Sequence, residues 1–243
     1  VEFALGYTEP QAGSDLAALD IRAEDKGDYF LMNGQKMFNT RCHFSQYHWL
    51  GARTEVTEKK YRGISLFIVD LKTPGITITP LWTMGGRRTN QVFYDNVKVP
   101  KDGLVGELNR GFYYIMEALS YERIMPSGAI RRQFQELVDC VKKIGKGKDP
   151  LVRQRLSELA IEIECVKLFS LRVAWMLNNA KIPTYESGML KMLKAETEFQ
   201  LASTALQIFG PFGQLSKGSK WCLLDGAFEQ RCRDKIELVI AAG

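Results

Sequence analysis

The stretch that decides the fold is Tyr7-Thr8-Glu9-Pro10-Gln11-Ala12-Gly13-Ser14-Asp15. On turn chemistry alone it predicts a polar loop. Pro10 fixes one φ, Gly13 permits another, and Asp15 or Ser14 can cap the element that follows. Turn chemistry leaves open whether this loop has a further role, so its meaning depends on the motifs that accompany it along the chain.

Outward from this loop, residues up to about 100 read as short strands. Tyr29–Met32 and Gln35–Phe38 flank Asn33-Gly34, which predicts a β-hairpin with a two-residue turn. Runs of buried or alternating apolar residues predict the other strands. These are Ile64–Val69, Ile76–Thr79 and the pair Val92–Asp95 and Val97–Pro100. Short strands separated by Gly, Pro and Asn predict a small β-barrel or sandwich.

After Pro100 the apolar period becomes helical. A first run contains Phe112, Ile115, Met116 and Leu119, a second covers 151–177 and a third covers 186–209. Helices of about 25 residues span roughly 37 Å and favour an up-and-down bundle. The sequence therefore predicts an α+β multidomain chain, with a β domain over 1–107 and a helical bundle over 108–243.

Composition excludes several classes of protein. The chain has 243 residues, and its net charge of +5 comes from basic residues mixed with acidic ones, so we expect no nucleic-acid partner. Five cysteines without a Cys-x-x-Cys pair, and two histidines, predict no metal site and a cytoplasmic location. No apolar run approaches the roughly 20 residues that span a membrane. The chain begins at Val1 and ends at Gly243 inside an apolar run, so both ends are expected to be cuts.

Several further motifs follow the first loop in a fixed order. They are Asn33–Thr40, Thr73-Pro74-Gly75, Asp95–Pro100, Val105-Gly106, Arg123 and Gln207–Gly213. In this order and spacing the chain resembles the middle and C-terminal domains of acyl-CoA dehydrogenases, over essentially its whole length. The resemblance implies an FAD-dependent oxidoreductase of lipid metabolism whose N-terminal helical domain is missing from this chain.

The resemblance assigns flavin contacts to the first loop. Tyr7 and Thr8 are expected to face the polar edge of the flavin ring, and Gly13 to allow close approach of the backbone. Ser14 is expected to donate to the FAD pyrophosphate and to lie among the substrate contacts.

The resemblance also assigns a role to Phe38-Asn39-Thr40. Family members usually have Trp where this chain has Phe38, and Thr40 is expected to reach the N5 region of the flavin. Taken by itself, Phe38 is read more readily as part of the β-domain core.

A second FAD segment lies near the C-terminal end. Gln207, Gly210 and Gly213 match the family segment that holds the adenosine diphosphate part of a neighbouring subunit's FAD, which implies an oligomer, a dimer of dimers built from like or unlike chains. A Gly-Pro pair after a helix is also an ordinary helix stop. The family's Arg-x-x-Phe-Gly motif is missing from 141–153, which indicates a divergent branch.

The resemblance places the catalytic base on the first C-terminal helix. In the family a carboxylate takes the α-proton of an acyl-CoA while the β-hydrogen leaves as hydride to flavin N5. Many members carry that Glu at a position matched here by Ala242, which cannot abstract a proton. Isovaleryl-CoA and long-chain members carry it directly before an Arg, and this chain has Glu122-Arg123 there. Glu122 is thus the expected base. Arg123 is expected either near the CoA or as an anchor of the helix, and the Ala242 N–H is expected near the thioester carbonyl.

Other interpretations remain open at this point. For an arbitrary Glu-Arg pair, a solvated ion pair on a helix face is the usual outcome. The expected dehydrogenase would pass electrons to an electron-transfer flavoprotein, whereas an acyl-CoA oxidase or flavin monooxygenase would share the same fold. A non-catalytic subunit that shares a neighbour's FAD is another possibility, and a β-plus-helix interaction protein is a further one. The acyl group could be straight, branched, aromatic or a steroid side chain.

Overall fold

The computed structural model describes residues 1–123 and 126–241. By contacts the chain divides into two compact units, Val1–Ala118 and Leu119–Gly243. The first is a sheet unit that includes most of the first helix, and the second is helical. That helix belongs with the sheet because Gly111 lies on the backbone of Ser65 and the Ile115 side chain lies against Gly51.

The sheet unit contains eight strands in one sheet. They are β1 Phe3–Gly6, β2 Arg22–Asp25, β3 Tyr29–Lys36, β4 Tyr47–Arg53, β5 Ile64–Asp70, β6 Ile76–Trp82, β7 Arg88–Pro100 and β8 Leu104–Val105. The strand order is β6-β7-β3-β2-β4-β5-β8, and β1 pairs with β4 in parallel. Phe30 and Phe67 meet edge to face inside it, with ring centroids 5.0 Å apart. The predicted β domain is confirmed.

The predicted hairpin at Asn33-Gly34 is wrong. Both residues lie inside β3, which is one continuous strand paired with β2 and β7, with an irregularity in the β7 pairing between Met32 and Gly34. A Cβ on Gly34 would lie 2.9 Å from the Cα of Ile21, and its φ is 143°. The glycine therefore marks a bulge where another segment passes close to the strand, not a turn.

The predicted strand pair at 92–100 is also one strand. β7 runs without interruption from Arg88 to Pro100 and pairs first with β6 and then with β3. Asn96 has a positive φ of 51°, and its backbone N–H donates to Oδ1 of Asn33 at 2.8 Å. Asp95-Asn96 therefore accommodates the irregularity in the pairing of β3 with β7. The strand continues through this polar pair and does not end there.

The helices of the described residues are α1 Gly111–Glu122, α2 Gly128–Lys143, α3 Pro150–Asn178, α4 Thr184–Phe209 and α5 Ala227–Ile240. Those from α2 to α5 pack together as the predicted bundle. The core of the second unit includes Ile130, Leu137, Ile163, Leu201 and Phe228, all nearly fully buried. The run before Gly145 forms two helices where the periodicity predicts one.

Local signals set the start of α3. Pro150 occupies the first turn, and Asp149 caps it by accepting from the backbone N–H groups of Leu151 and Val152 at 2.9 and 3.3 Å. In the part of the chain that the structure describes, no helix is both long enough and apolar enough to cross a bilayer.

Candidate active site

The carboxylate of Glu9 organises the first loop. Backbone bonds between Glu9 and Ala12 in both directions close a tight turn. The Glu9 side chain is buried and accepts from the N–H groups of Asp20 at 2.7 Å and Ile21 at 3.0 Å. The loop that carries the predicted flavin contacts is therefore held from inside by one charged group.

Lys36 supplies the counter-charge. Its Nζ donates to Glu9 at 2.8 Å and to the Tyr7 carbonyl at 3.0 Å, and its side chain is fully buried. Burial lowers the pKa of the Lys36 ammonium to about 8, although the Glu9 carboxylate opposes this. Sequence analysis missed this pair. The alternation of side chains along β3 could have predicted the buried lysine. Lys36 falls on the same face of the strand as the buried Phe30 and Met32.

The structure brings the two predicted flavin segments together. The backbone N–H of Met37 donates to the Thr8 carbonyl at 2.8 Å, so the loop at 37–40 runs beside the first loop. The Phe38 side chain is 57% exposed, which excludes the interpretation that it belongs to the β-domain core. The Oγ1 of Thr40 lies 3.4 Å from that of Thr89.

Phe38 is held in a strained backbone conformation. Its φ of 56° is unusual for a bulky residue and costs about 1–3 kcal/mol. Asn39 fixes it, because its N–H donates to the Asn90 carbonyl at 2.9 Å and its Nδ2 donates to the Leu5 carbonyl at 2.8 Å. Asn90 returns a bond to the Asn39 carbonyl at 2.7 Å. These bonds point the aromatic ring outward, and sequence analysis gave neither Asn a role.

The surface of these two loops fits a flavin dinucleotide. Tyr7 is buried and Thr8 is partly buried, whereas Gly13 and Ser14 are exposed. At Gly13 no heavy atom of the described residues beyond its chain neighbours comes within 4 Å of an added Cβ. An open glycine beside an exposed hydroxyl suits a phosphate, and the exposed Phe38 ring suits an aromatic ring system.

The predicted adenosine diphosphate segment follows α4 directly. Gln207 lies in the last turn of α4 and is exposed, and Gly210 ends the helix with φ 62° and ψ −137°. Gly213 is buried in the turn Gly210–Gln214. The Lys146 ammonium, from the stretch that lacks Arg-x-x-Phe-Gly, donates to the carbonyl of Ile208. That stretch therefore still contacts this segment, through a lysine.

Gly213→Ala is expected to destabilise the helical unit. An added Cβ would lie 2.6 Å from the Leu206 carbonyl oxygen and 2.9 Å from its Cα, so backbone must move. Overpacking of this kind costs about 1–3 kcal/mol, which urea unfolding of the protein would report. Gly147→Ala is the matched control, since its added Cβ meets only ordinary contacts with Lys142, at 3.7 and 3.8 Å. Equal midpoints for the two variants would contradict the close contact.

Glu122 is the last residue of α1, and Arg123 follows it. Glu122 is exposed by surface area, yet enough protein surrounds its carboxyl that desolvation raises its pKa against the opposing charge of Arg123. The predicted Ala242 lies outside the described residues.

Lys191 lies near Arg123, and sequence analysis gave it no role. It is buried in α4, and its Nζ donates to the Val239 carbonyl at 3.3 Å. Burial lowers its pKa, and the charge of Arg123 contributes in the same direction. The Lys191 and Arg123 side chains are therefore close enough for their charges to interact, an arrangement that favours an anionic group near them.

A sheet unit with a carboxylate-organised loop, followed by a helical unit, is the architecture that the resemblance to acyl-CoA dehydrogenases predicted. Two family models match it. The middle domain of acyl-CoA dehydrogenase matches residues 4–97 and the C-terminal domain matches residues 109–235. The chain belongs to the acyl-CoA dehydrogenase family, whose members are FAD-dependent oxidoreductases that act on acyl-CoA.

Individual relatives agree. Acyl-CoA dehydrogenase FadE29 of Mycobacterium tuberculosis is 35% identical over 219 residues, 87% of this chain and 56% of the relative. The structure described as the Tcur3481-Tcur3483 steroid ACAD G363A variant is 32% identical, with a TM-score of 0.94, over 100% of this chain and 65% of that one. The ChsE4-ChsE5 complex from M. tuberculosis is 29% identical, with a TM-score of 0.88, over 99% and 64%. The chain thus spans between about half and two thirds of these relatives.

Proposed function

We propose that the complete protein is an FAD-dependent dehydrogenase of acyl-CoA thioesters in which Glu122 removes the α-proton. The observation that carries the proposal is the Glu122 carboxyl at the end of α1, whose pKa is raised by desolvation. A carboxylate with a raised pKa is a better base near neutral pH than a solvated one. FAD, when bound, supplies the acceptor for the β-hydrogen.

The remaining predicted residues would bind and orient the FAD and the acyl-CoA substrate. Tyr7 and Thr8, with Thr40, would line the flavin ring, and the Phe38 ring would pack against it. Gly13 and Ser14 would meet the pyrophosphate, and Ser14 also the substrate. Gln207, Gly210 and Gly213 would hold the adenosine diphosphate part of a neighbour's FAD. Arg123 would bind the CoA, and the Ala242 N–H would donate to the thioester carbonyl.

Partners follow from the same proposal. The expected electron acceptor is an electron-transfer flavoprotein, which is supported by a 31% identical relative described as subunit CarC of a caffeyl-CoA reductase-Etf complex. The protein would assemble as a dimer of dimers and act in the cytoplasm.

A second candidate is a non-catalytic subunit that shares a neighbour's FAD. It is favoured by two similar structures that are described by pairs of chain names, Tcur3481-Tcur3483 and ChsE4-ChsE5. The carboxylate of Glu122 opposes it, because such a subunit needs no base. An oxidase or monooxygenase would differ from a dehydrogenase in rapid reaction of the reduced flavin with oxygen.

Anaerobic titration of the complete protein with acyl-CoAs tests the proposal. The panel contains straight, branched, aromatic and steroid-side-chain thioesters, and the visible absorbance of the flavin is followed. Bleaching by at least one thioester, with slow reoxidation by oxygen, is the expected result. A protein that binds no flavin alone and gains it only with an unlike subunit would replace this proposal with the second candidate.

The rate of bleaching is expected to fall as the pH decreases through the raised pKa of Glu122. The base acts deprotonated, and its pKa lies above the ordinary value of 4.5 because of desolvation. The acid limb should therefore lie at higher pH than for a solvated Glu. Arg123→Gln removes the charge that lowers this pKa, so it should move the limb further up. Stopped-flow rates measured against pH give the acid limb of both proteins. If the limb lies at the same pH in Arg123→Gln as in the unaltered protein, the assignment of Glu122 as the base is contradicted.

A further inference from the structure

The interior of the sheet unit holds a histidine that is hydrogen-bonded to a tyrosine. His48 on β4 is fully buried and Tyr94 on β7 nearly so, and Nδ1 of His48 lies 2.5 Å from Oη of Tyr94. Their rings are almost parallel, with centroids 6.1 Å apart. In the sheet order β4 and β7 are separated by β2 and β3. This contact, the His48–Tyr94 bridge, therefore crosses the interior and does not join neighbouring strands.

Burial fixes the protons of the bridge. Desolvation lowers the pKa of the His48 imidazole to about 3, and the Lys36 ammonium contributes in the same direction. Desolvation also raises the pKa of the Tyr94 hydroxyl well above its ordinary value, so both groups are neutral. A buried hydroxyl that donates to nothing is costly, so the Tyr94 hydroxyl donates to Nδ1 and the proton of the imidazole is on Nε2.

The Nε2 edge of the imidazole fits against Gly6. A Cβ built on Gly6 would lie 2.5 Å from Nε2 and 2.6 Å from Cε1 of His48, and its three nearest atoms all belong to this ring. The inward-facing residues of β1 are Ala4 and Gly6, so this strand offers the interior nothing larger than a methyl group. The imidazole takes the space that a side chain at position 6 would need. The angle of this ring, which Tyr94 sets, therefore decides where the Gly6 backbone can lie.

Gly6 leads directly into the loop at 7–15, which carries the first set of predicted flavin contacts. The residue before Gly6 is held by the second flavin segment, since Nδ2 of Asn39 donates to the Leu5 carbonyl at 2.8 Å. Both flavin segments thus meet at Leu5-Gly6, and the imidazole of His48 lies against Gly6. A rotation of this ring would shift both segments together.

We propose that His48, oriented by Tyr94, is a positioning residue that sets the geometry of both flavin segments through the backbone of Gly6. An apolar ring could fill the same space, but a hydrogen bond is directional and holds the plane of the imidazole at one angle. The proposal deepens the proposed function by naming what orients the flavin surface. It rests on the proposed flavin site and does not depend on Glu122 as the base.

A compensating pair of substitutions tests the contact between the imidazole and Gly6. Gly6→Ala in the complete protein is expected to weaken flavin binding about tenfold or more, because the added methyl group meets a tethered ring. The urea midpoint of the apoprotein should fall as well. His48→Asn keeps an acceptor for Tyr94, since Oδ1 takes the place of Nδ1, but removes the edge beside Gly6. Gly6→Ala with His48→Asn should therefore regain most of both losses.

Gly111→Ala is the control for this rescue. Its added Cβ would lie 2.4 Å from the carbonyl carbon of Ser65, also in the sheet unit, so His48→Asn should not restore it. If Gly6→Ala binds flavin as tightly as the unaltered protein, or if the double variant is no better than Gly6→Ala, the proposal is overturned.

The reduction potential of the bound flavin separates positioning from a purely structural role. Tyr94→Phe keeps the ring and removes the bond, so both segments should shift against the flavin. The ratio of the affinities for reduced and oxidised flavin should change at least threefold, about 14 mV for a two-electron couple. Val99→Ala, a truncation in the same core, should lower the urea midpoint and leave the potential unchanged. A Tyr94→Phe protein that loses stability but keeps its potential would contradict the proposal.

Bleaching by acyl-CoA is read separately from the potential. If no thioester bleaches the unaltered protein but Tyr94→Phe moves the flavin potential, the dehydrogenase proposal fails and the positioning role stands. If bleaching is normal and the potential of Tyr94→Phe is unmoved, only the positioning role fails. A complete protein that binds no flavin would defeat both.

Discussion

Glu122→Gln is expected to abolish bleaching of the flavin by acyl-CoA while the protein remains yellow. Gln keeps the size and hydrogen-bonding capacity of Glu but cannot accept the α-proton, and a positioned base contributes about 100- to 10,000-fold to the rate. Stopped-flow absorbance under anaerobic conditions measures the rate in both proteins. The retained flavin spectrum shows that cofactor binding is intact, so the loss is confined to proton removal.

Glu117→Gln is the matched control for this experiment. Glu117 is on the same helix and is exposed, but it lies five residues before Glu122, so its carboxyl is on another side of the helix. The control variant should bleach at the rate of the unaltered protein. Equal bleaching by Glu122→Gln and by the unaltered protein would remove Glu122 from the mechanism and leave it an ion-pair partner of Arg123.

The helical half of the fold was predictable because its signals are local and long. The apolar periods at 151–177 and 186–209 correspond to α3 and α4, within two residues at each end. The strand half was harder. Asn33-Gly34 has the residues of a hairpin turn, but its glycine is required by the backbone of Ile21, from another part of the chain. The residues next to Asn33-Gly34 in the sequence do not reveal that the Ile21 backbone passes close to the glycine.

The candidate site divides in the same way. Residue motifs were enough to predict Glu122 and the loop at 7–15 as site residues, since these predictions depend on which side chains are present. The strained φ of Phe38 was not predictable, because it is imposed by bonds that tie the next residue, Asn39, to Asn90, which is distant in sequence. The Glu9 and Lys36 pair was missed for a related reason. Each residue looks like an ordinary surface charge until the fold buries both.

Lys36→Met is expected to destabilise the sheet unit by about 3–5 kcal/mol. It removes the counter-charge of Glu9 and leaves a buried carboxylate that keeps backbone N–H groups and Gln11 as donors but has lost its ion-pair partner. The Tyr7 carbonyl also loses the bond from Lys36 Nζ. Because Glu9 holds the loop that carries Gly13 and Ser14, the variant should retain less flavin as well. Urea unfolding followed by tryptophan fluorescence measures the stability, and absorbance measures the flavin.

A surface ion pair supplies the control. Lys60 contacts Asp15 at 3.1 Å with both side chains well exposed, so Lys60→Met should change stability by less than about 1 kcal/mol. The variant Glu9→Gln with Lys36→Met should be less destabilised than the sum of the single changes, since neither charge is then left alone. If Lys36→Met unfolds at the same urea concentration as Lys60→Met, the buried pair of Glu9 and Lys36 does not hold the loop. The geometry of the flavin surface must then depend on the hydrogen bonds of Asn39 and Asn90 beside Phe38.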